Sequence, residues 1–308
     1  MKCIFKISLL ALFMVFSYAA QTQIVVLTGT ENGTYDKVAN EMNKYLPTFT
    51  YEKGGETKDV AFLKTKATQG SNFNFDHLVN AKDPSKAAFM QLDLLLLKKS
   101  EDMINGTEFC KDLLVLMPLG KEEIHLMTKK GSPINSLKSL EGRSVGIGTP
   151  AEGTYSTAMY IQNTAKIAWN NKNISTQDCF KALLLDQIDA FFMVVAAPSQ
   201  MLQAIPVNSP LKLQMGSVEN INGWADYYTP ITLASSTYPW LEANISTFSV
   251  PSVIVINKSK LTEDDMALMK EWKANVIDNI DQLQAYGHPS WDTATPAEWN
   301  VNIWPTIE

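Results

Sequence analysis

Two stretches combine residue types that suit the capture of a small molecule. Thr28-Gly29-Thr30-Glu31-Asn32-Gly33-Thr34-Tyr35 and Gly148-Thr149-Pro150-Ala151-Glu152-Gly153-Thr154-Tyr155 follow one plan. Their glycines let backbone N–H groups approach a ligand, and threonine hydroxyls with an amide can fix its orientation. Read singly, each is also an ordinary strand-to-helix turn with a threonine cap. Two of them, each opening its own α/β unit, favour a ligand held between two lobes. Such loops lie outside the carboxyl ends of strands, where helix N-termini offer free N–H groups and a positive dipole end.

The elements that must position these loops follow from hydropathy. Gln23-Ile24-Val25-Val26-Leu27-Thr28 is a short β-favouring run before the first loop, and Val38, Ala39, Met42, Tyr45 and Leu46 recur at helical spacing after it until Pro47. Ser144-Val145-Gly146-Ile147-Gly148 precedes the second loop, and Ala158, Ile161, Ala165 and Ala168 mark its helix. Residues 89–97, 113–117, 123–128 and 188–195 read as strands, the last running into Pro198-Ser199 and a helix through Met201 and Leu202. Residues 248–256 are strand-like, and Thr262 with Glu263-Asp264-Asp265 predicts a capped helix that continues to Gly287. Residues 72–84 carry no periodic apolar signal and read as an insertion loop. Residues 291–304 form an aromatic tail expected to pack over the surface. The pattern is α/β throughout.

Composition excludes several classes. The 308 residues are 45% apolar and 19% charged, with 26 cations against 32 anions and no basic block, which disfavours nucleic-acid binding. Arg143 is the single arginine, so one guanidinium clamp at most is available for an acidic ligand. Lys2 and Lys6 flank an apolar run of ten residues, Ile7-Ser8-Leu9-Leu10-Ala11-Leu12-Phe13-Met14-Val15-Phe16, followed by Ser17, Ala19 and Ala20, which predicts a secretory signal peptide over residues 1–20. The mature chain is then expected to be soluble and periplasmic or extracellular. Export would place Cys110 and Cys179 in an oxidising compartment, where they either pair or stand as buried thiols; the second is favoured because they fall in segments assigned to different domains. His77, His125 and His288 are scattered, so neither a metal nor another cofactor is expected.

Several segments together resemble the TAXI family, the TRAP-associated extracytoplasmic immunogenic solute receptors. Gly29-Thr30-Glu31-Asn32-Gly33-Thr34-Tyr35 is similar to its GTGGTY-type loop, Lys53-Gly54-Gly55-Glu56 to its TGGS-type loop, and Gln91-Leu92-Asp93 to its QSD-type strand end. Residues 136–154 parallel its SLADLKGKRVSVGPPGSGT-type segment, and Asp189-Ala190-Phe191-Phe192-Met193-Val194-Val195-Ala196-Ala197-Pro198 its DAFFYVVGHP-type strand. Val250-Pro251-Ser252-Val253-Ile254-Val255 and Leu261-Thr262-Glu263-Asp264 parallel its VPALLVA and LSED segments.

The resemblance implies a two-lobed type II periplasmic-binding-protein fold, each lobe a mixed sheet flanked by helices, with two hinge crossings. Lobe 1 would hold residues 21–113 plus 218–308, and lobe 2 residues 119–211. It also implies a monomeric receptor that closes over glutamate, glutamine or another small carboxylate and delivers it to TRAP-type membrane transporter subunits, without covalent chemistry. Ligand-binding residues would be Gly29, Thr30, Glu31, Asn32, Gly33, Thr34, Tyr35, Gly55, Glu56, Gln91, Asp93, Thr149, Gly153, Thr154, Tyr155, Ala196 and Pro198.

Glu31 and Glu56 depart from loops that are neutral in the family and would repel an acidic ligand, whereas an amine-bearing solute could use Glu31, Glu56 or Asp93 as counter-ion. Arg143 reads as a surface residue at a strand start. Tyr35 and Tyr155 either cover a ligand or pack under their own loops. Asp93 faces the cleft or caps a turn; Trp224, Tyr227 and Tyr228 line the cleft or pack the hinge. Phe191, Phe192 and Met193 read as core. Two other functions compete: an exported receptor-like module for signalling, and an exported cleft enzyme. No Gly-x-Ser-x-Gly or HExxH supports the enzyme.

Overall fold

A computed structural model describes residues 23–46, 48–53, 56–207, 213–219 and 227–307 of the chain. The expected signal peptide, Gly54-Gly55 and Trp224 lie outside the described residues, and Glu56 is placed only as backbone in a strand.

The first half is built from β1 (Ile24–Leu27), α1 (Thr34–Met42), the hairpin β2 (Thr48–Lys53) and β3 (Glu56–Ala61), β4 (Leu63–Lys66), α2 (Ser71–Val79), β5 (Ala87–Gln91) and α3 (Leu92–Asn105). β1 pairs in parallel with both β4 and β5, which explains why its short apolar run is almost wholly buried. α1 lays Tyr35, Val38, Ala39 and Met42 against the sheet, the stripe its spacing predicts.

A 17-residue strand, β6 (Leu113–Lys129), then carries the chain into the second half. There follow β7 (Ser144–Gly146), α4 (Gly153–Ala165), β8 (Asn170–Lys172), α5 (Thr176–Leu184), β9 (Ala190–Val195), α6 (Gln200–Gln203), β10 (Leu213–Gly216) and β11 (Thr229–Leu233). The 13-residue β12 (Ile245–Asn257) returns, and α7 (Glu263–Asp278) and α8 (Ile280–Tyr286) close the first half. The strands join in the order β4-β1-β5-β12-β6-β9-β7-β8, with β10 on β6 and β11 on β12. β6 thus pairs with β12 over residues 113–123 and with β9 over residues 123–128.

Several expectations are corrected. Residues 92–97 are not strand: β5 stops at Gln91, and α3 runs on to a left-handed Gly106. An apolar run of that length cannot be assigned by periodicity alone. The expected insertion loop is largely α2, whose pattern was masked because Asn72 and Asn74 are buried beside Phe75 and Leu78. The two strands expected over 113–128 are one. Pro118 and Gly120 lie between the two runs within the continuous strand, and Gly120 serves a close approach: a Cβ there would meet the Ser290 carbonyl oxygen at 2.0 Å. The last helix divides at Asn279. The aromatic tail is core rather than cover, with Trp291 and Trp304 buried and the Trp304 indole donating to the Leu113 carbonyl at 3.0 Å.

Met215, Leu233, Tyr238 and Leu241 pack in one cluster with Cys179, Phe191 and Leu202, while Val218 and Tyr228 pack in the cluster that runs through both halves. Cys110 and Cys179 are buried free thiols in separate clusters. As expected, Phe191, Phe192 and Met193 are core, and Thr262 caps α7 in a reciprocal box with Asp265. Arg143 is partly exposed, 3.9 Å from Asp189. Among the described residues no helix is long and apolar enough to cross a membrane.

Candidate functional site

At the middle of β6, where its pairing passes from β12 to β9, stand two adjacent carboxylates. Glu122 is paired with Val250, and Glu123 with both Ser249 and Val195. Successive strand residues point to opposite faces, so the two reach different neighbours. The Glu122 carboxylate accepts from Gln91 Nε2 at 2.7 Å, and that of Glu123 accepts from the Ala197 N–H at 2.6 Å. Burial pushes each up to about 7, because desolvation penalises the ionised form more than these hydrogen bonds favour it. Two residues on, burial lowers His125 to about 4, so the ring is neutral at pH 7. It lies between the Glu123 carbonyl at 2.9 Å and the Tyr238 hydroxyl at 2.8 Å.

The first half brings four polar groups toward Glu122. Tyr35, in the first turn of α1, packs its ring against Gly29 and points its hydroxyl toward Glu122 and Ser71. That hydroxyl is buried and makes no hydrogen bond of normal geometry, and Gln91 Oε1 is likewise buried without a partner. Ser71 begins α2, and its hydroxyl receives the Gln91 N–H at 3.3 Å. Asp93, in the first turn of α3, is fully buried; its carboxylate accepts from the Leu94 N–H, from Thr157 Oγ1 at 2.7 Å and from the Tyr228 hydroxyl at 2.9 Å. Desolvation nevertheless raises its titration point.

The second half meets this surface directly. Gly153 sits so close to Gln91 that a Cβ would fall 2.0 Å from its Oε1. Asn72 Nδ2 donates to the Glu152 carbonyl and to Ser156 Oγ, both at 2.8 Å, and the Phe73 N–H donates to the Ala151 carbonyl. Lys37 Nζ donates to Gln200 Oε1. What remains between the halves beside Glu122 is a crevice lined by Thr34, Tyr35, Val38, Leu119, Ala196 and Trp291 among others, with room for about one water molecule.

The expected site residues therefore divide. Tyr35, Gln91, Asp93, Gly153, Thr34 and Ala196 converge on the junction. Thr154 is buried beside it, its hydroxyl accepting from the Val194 N–H at 3.1 Å. Thr30, Glu31 and Asn32 are exposed; Gly33 is folded back on the Thr30 carbonyl, and the Asn32 N–H is held by Asp36. Thr149 gives its N–H and hydroxyl to Glu152, whose other oxygen accepts from Thr176, so this part of the second loop is tied to α5. Tyr155 packs half-buried against the apolar core, and Pro198 is half-exposed. Tyr228 reaches Asp93, while Tyr227 packs its ring at a tilt of 39° against Tyr160.

Glu122, Glu123, Ser71, Asn72 and Thr157 were not singled out in the sequence. Two adjacent glutamates inside the apolar run 113–128 were the available signal, since charges are almost never buried without purpose.

No curated protein sequence matches the chain significantly. A structure described as that of a periplasmic transporter superposes with TM-score 0.55 at 11% identity, over 91% of this chain and 90% of the other. That of the periplasmic binding protein BugD superposes with TM-score 0.51 at 12% identity, over 88% and 84%. These likenesses show the fold, the two-lobed type II architecture of periplasmic binding proteins. The NMT1-like family profile matches residues 26–295, and the chain belongs to the NMT1-like family.

Proposed function

We propose that the chain is an exported receptor that captures a small solute between its two halves and delivers it to a TRAP-type membrane transporter, as in the TAXI branch its motifs resemble. The observation that carries this reading is the convergence of buried polar groups from both halves, Tyr35, Gln91 and Asp93 from one and Gly153, Thr154 and Thr157 from the other, on the Glu122 segment of a crossing strand. A cleft between domains with few, well-placed polar groups is where ligands are usually held. On this reading lobe 1 is the β1–α3 segment with the chain after the middle of β12, and lobe 2 is the segment between the crossings, including β10 and β11. Hinge motion at β6 and β12 would admit the solute. The apolar leader supports export, and the family and fold support binding rather than catalysis.

Native mass spectrometry of the mature protein purified from its own host tests the reading without a guess at the ligand. A retained small molecule, released on unfolding, is expected. Protein that carries none, and that no solute extract stabilises, would end it.

A further inference from the structure

We propose that the junction at Glu122 receives a primary amine with a short aliphatic body, its ammonium group held by the Glu122 carboxylate, with the free oxygen of the neighbouring Gln91 as a second acceptor once the halves part. The inference rests on the solute-receptor reading and names the solute's class.

Three buried carboxylates, Asp93, Glu122 and Glu123, surround the junction, and among the described residues no lysine, arginine or histidine forms an ion pair with any of them. Asp93 is satisfied by three donors, whereas Glu122 has one donor of normal geometry, the Gln91 amide, with the Tyr35 hydroxyl aimed at it less closely. Gln91 Oε1 is buried without a donor, and the buried Tyr35 hydroxyl, aimed at Glu122 and Ser71, makes no hydrogen bond of normal geometry. Buried acceptors without donors are costly and few in native proteins, so this group calls for a donor-rich partner. An ammonium offers three donors and no acceptor, and its charge offsets that of Glu122.

A carboxylate solute would meet the opposite conditions. It would bring negative charge against Glu122 and Asp93, and the sole guanidinium, Arg143, is at the partly exposed start of β7 near Asp189. A metal ion fits poorly too, because among the described residues no three His, Cys, Asp or Glu side chains are grouped to hold one. As it stands the crevice has room for about one water molecule, enough for the ammonium head alone; the aliphatic body would enter between Val38, Leu119, Ala196 and Trp291 only as the halves part.

The test is calorimetry and thermal unfolding of the mature protein at pH 7.5 with n-butylamine, 1,4-diaminobutane, succinate and L-glutamate. Saturable binding of an amine with an upward shift in unfolding temperature, and none with the dicarboxylates, is expected. Glu122→Gln should weaken amine binding at least tenfold, and Tyr35→Phe, which keeps the ring, about threefold; Glu108→Gln, on the far surface, should change nothing. Binding of succinate or glutamate without the amines would overturn the amine assignment and leave the receptor reading intact. Binding of neither class would also overturn it, with the host-derived mass spectrum deciding separately whether another solute is bound. Should Glu122→Gln not fold, the wild-type panel and Tyr35→Phe still decide.

Discussion

Two adjacent carboxylates inside an apolar strand tie the stability of this chain to pH. Glu122 and Glu123 titrate near 7 when folded, against the ordinary 4.5. The folded state therefore holds more protons than the unfolded state between those values, and stability falls as pH rises through 7. The groups facing Glu122 are Tyr35 from α1, Asp93 from α3 and Glu123 on its own strand; burial raises all of them. His125, lowered to about 4, works in the opposite direction, removing stability as pH drops below 6.5, and His288 is lowered too. Between pH 6.5 and 8 the two histidines add little slope, so the unfolding temperature should decline there. Glu122→Gln should flatten that decline and raise stability at pH 8 by on the order of 1–3 kcal/mol. Unchanged slopes in a pH series would mean that Glu122 ionises normally. Tyr35→Phe, which deletes a hydroxyl without a partner, should leave stability unchanged or raise it by about 1 kcal/mol, where loss of a satisfied hydroxyl would lower it. The sequence pointed to Tyr35, Gln91 and Asp93 through local motifs. It concealed Glu122, because burial of a charge is decided by the elements stacked around it.

At the scale of elements, legibility followed periodicity. α1 and α4 repeat apolar residues at helical spacing, and β1, β7 and β9 are short apolar runs; all five appear where they were expected, the two helices ending a few residues early. α2 escaped because its buried face is partly amide: Asn74 donates to the Thr28 and Phe89 carbonyls at 2.6 and 2.7 Å, which polarity alone reads as loop. β6 was read as two strands, and the Gly120 between them is where the tail packs over the strand, a contact 170 residues away in the chain. Gly120→Ala should consequently destabilise the protein by about 1–3 kcal/mol, since the Ser290 carbonyl is backbone and cannot swing aside. Gly153→Ala meets the movable end of Gln91 instead. It should cost less in chemical denaturation yet break the Gln91–Glu122 hydrogen bond and shift the pH profile. Thr262→Ala, by contrast, removes a cap and should cost about 1 kcal/mol with no effect on that profile.

Across the whole molecule, the two halves are held together by polar contacts as well as by the crossing strands. Asp93 to Thr157 and Tyr228, Asn72 to Glu152 and Ser156, and Lys37 to Gln200 all span the junction. One apolar cluster also runs from Leu27 and Phe75 through Ile124 to Ile147 and Phe192, so separation must occur at the helix ends while β6 and β12 stay paired. The packing of Met215 and Tyr238 with Cys179 and Phe191 was not legible, because β10 reaches that cluster by pairing with the distant β6. If the polar contacts set the balance between closed and open forms, Thr157→Val combined with Asn72→Ala should shift it toward open, at a cost of about 1 kcal/mol per lost hydrogen bond. Small-angle scattering should then show a larger radius of gyration for the double variant than for the wild type, and saturating solute should reduce the difference, since binding favours the form that both halves contact. Equal radii in all four states would mean that the halves form one rigid body, and that solute reaches Glu122 by a local opening at α1 and Ala196 rather than by hinge motion.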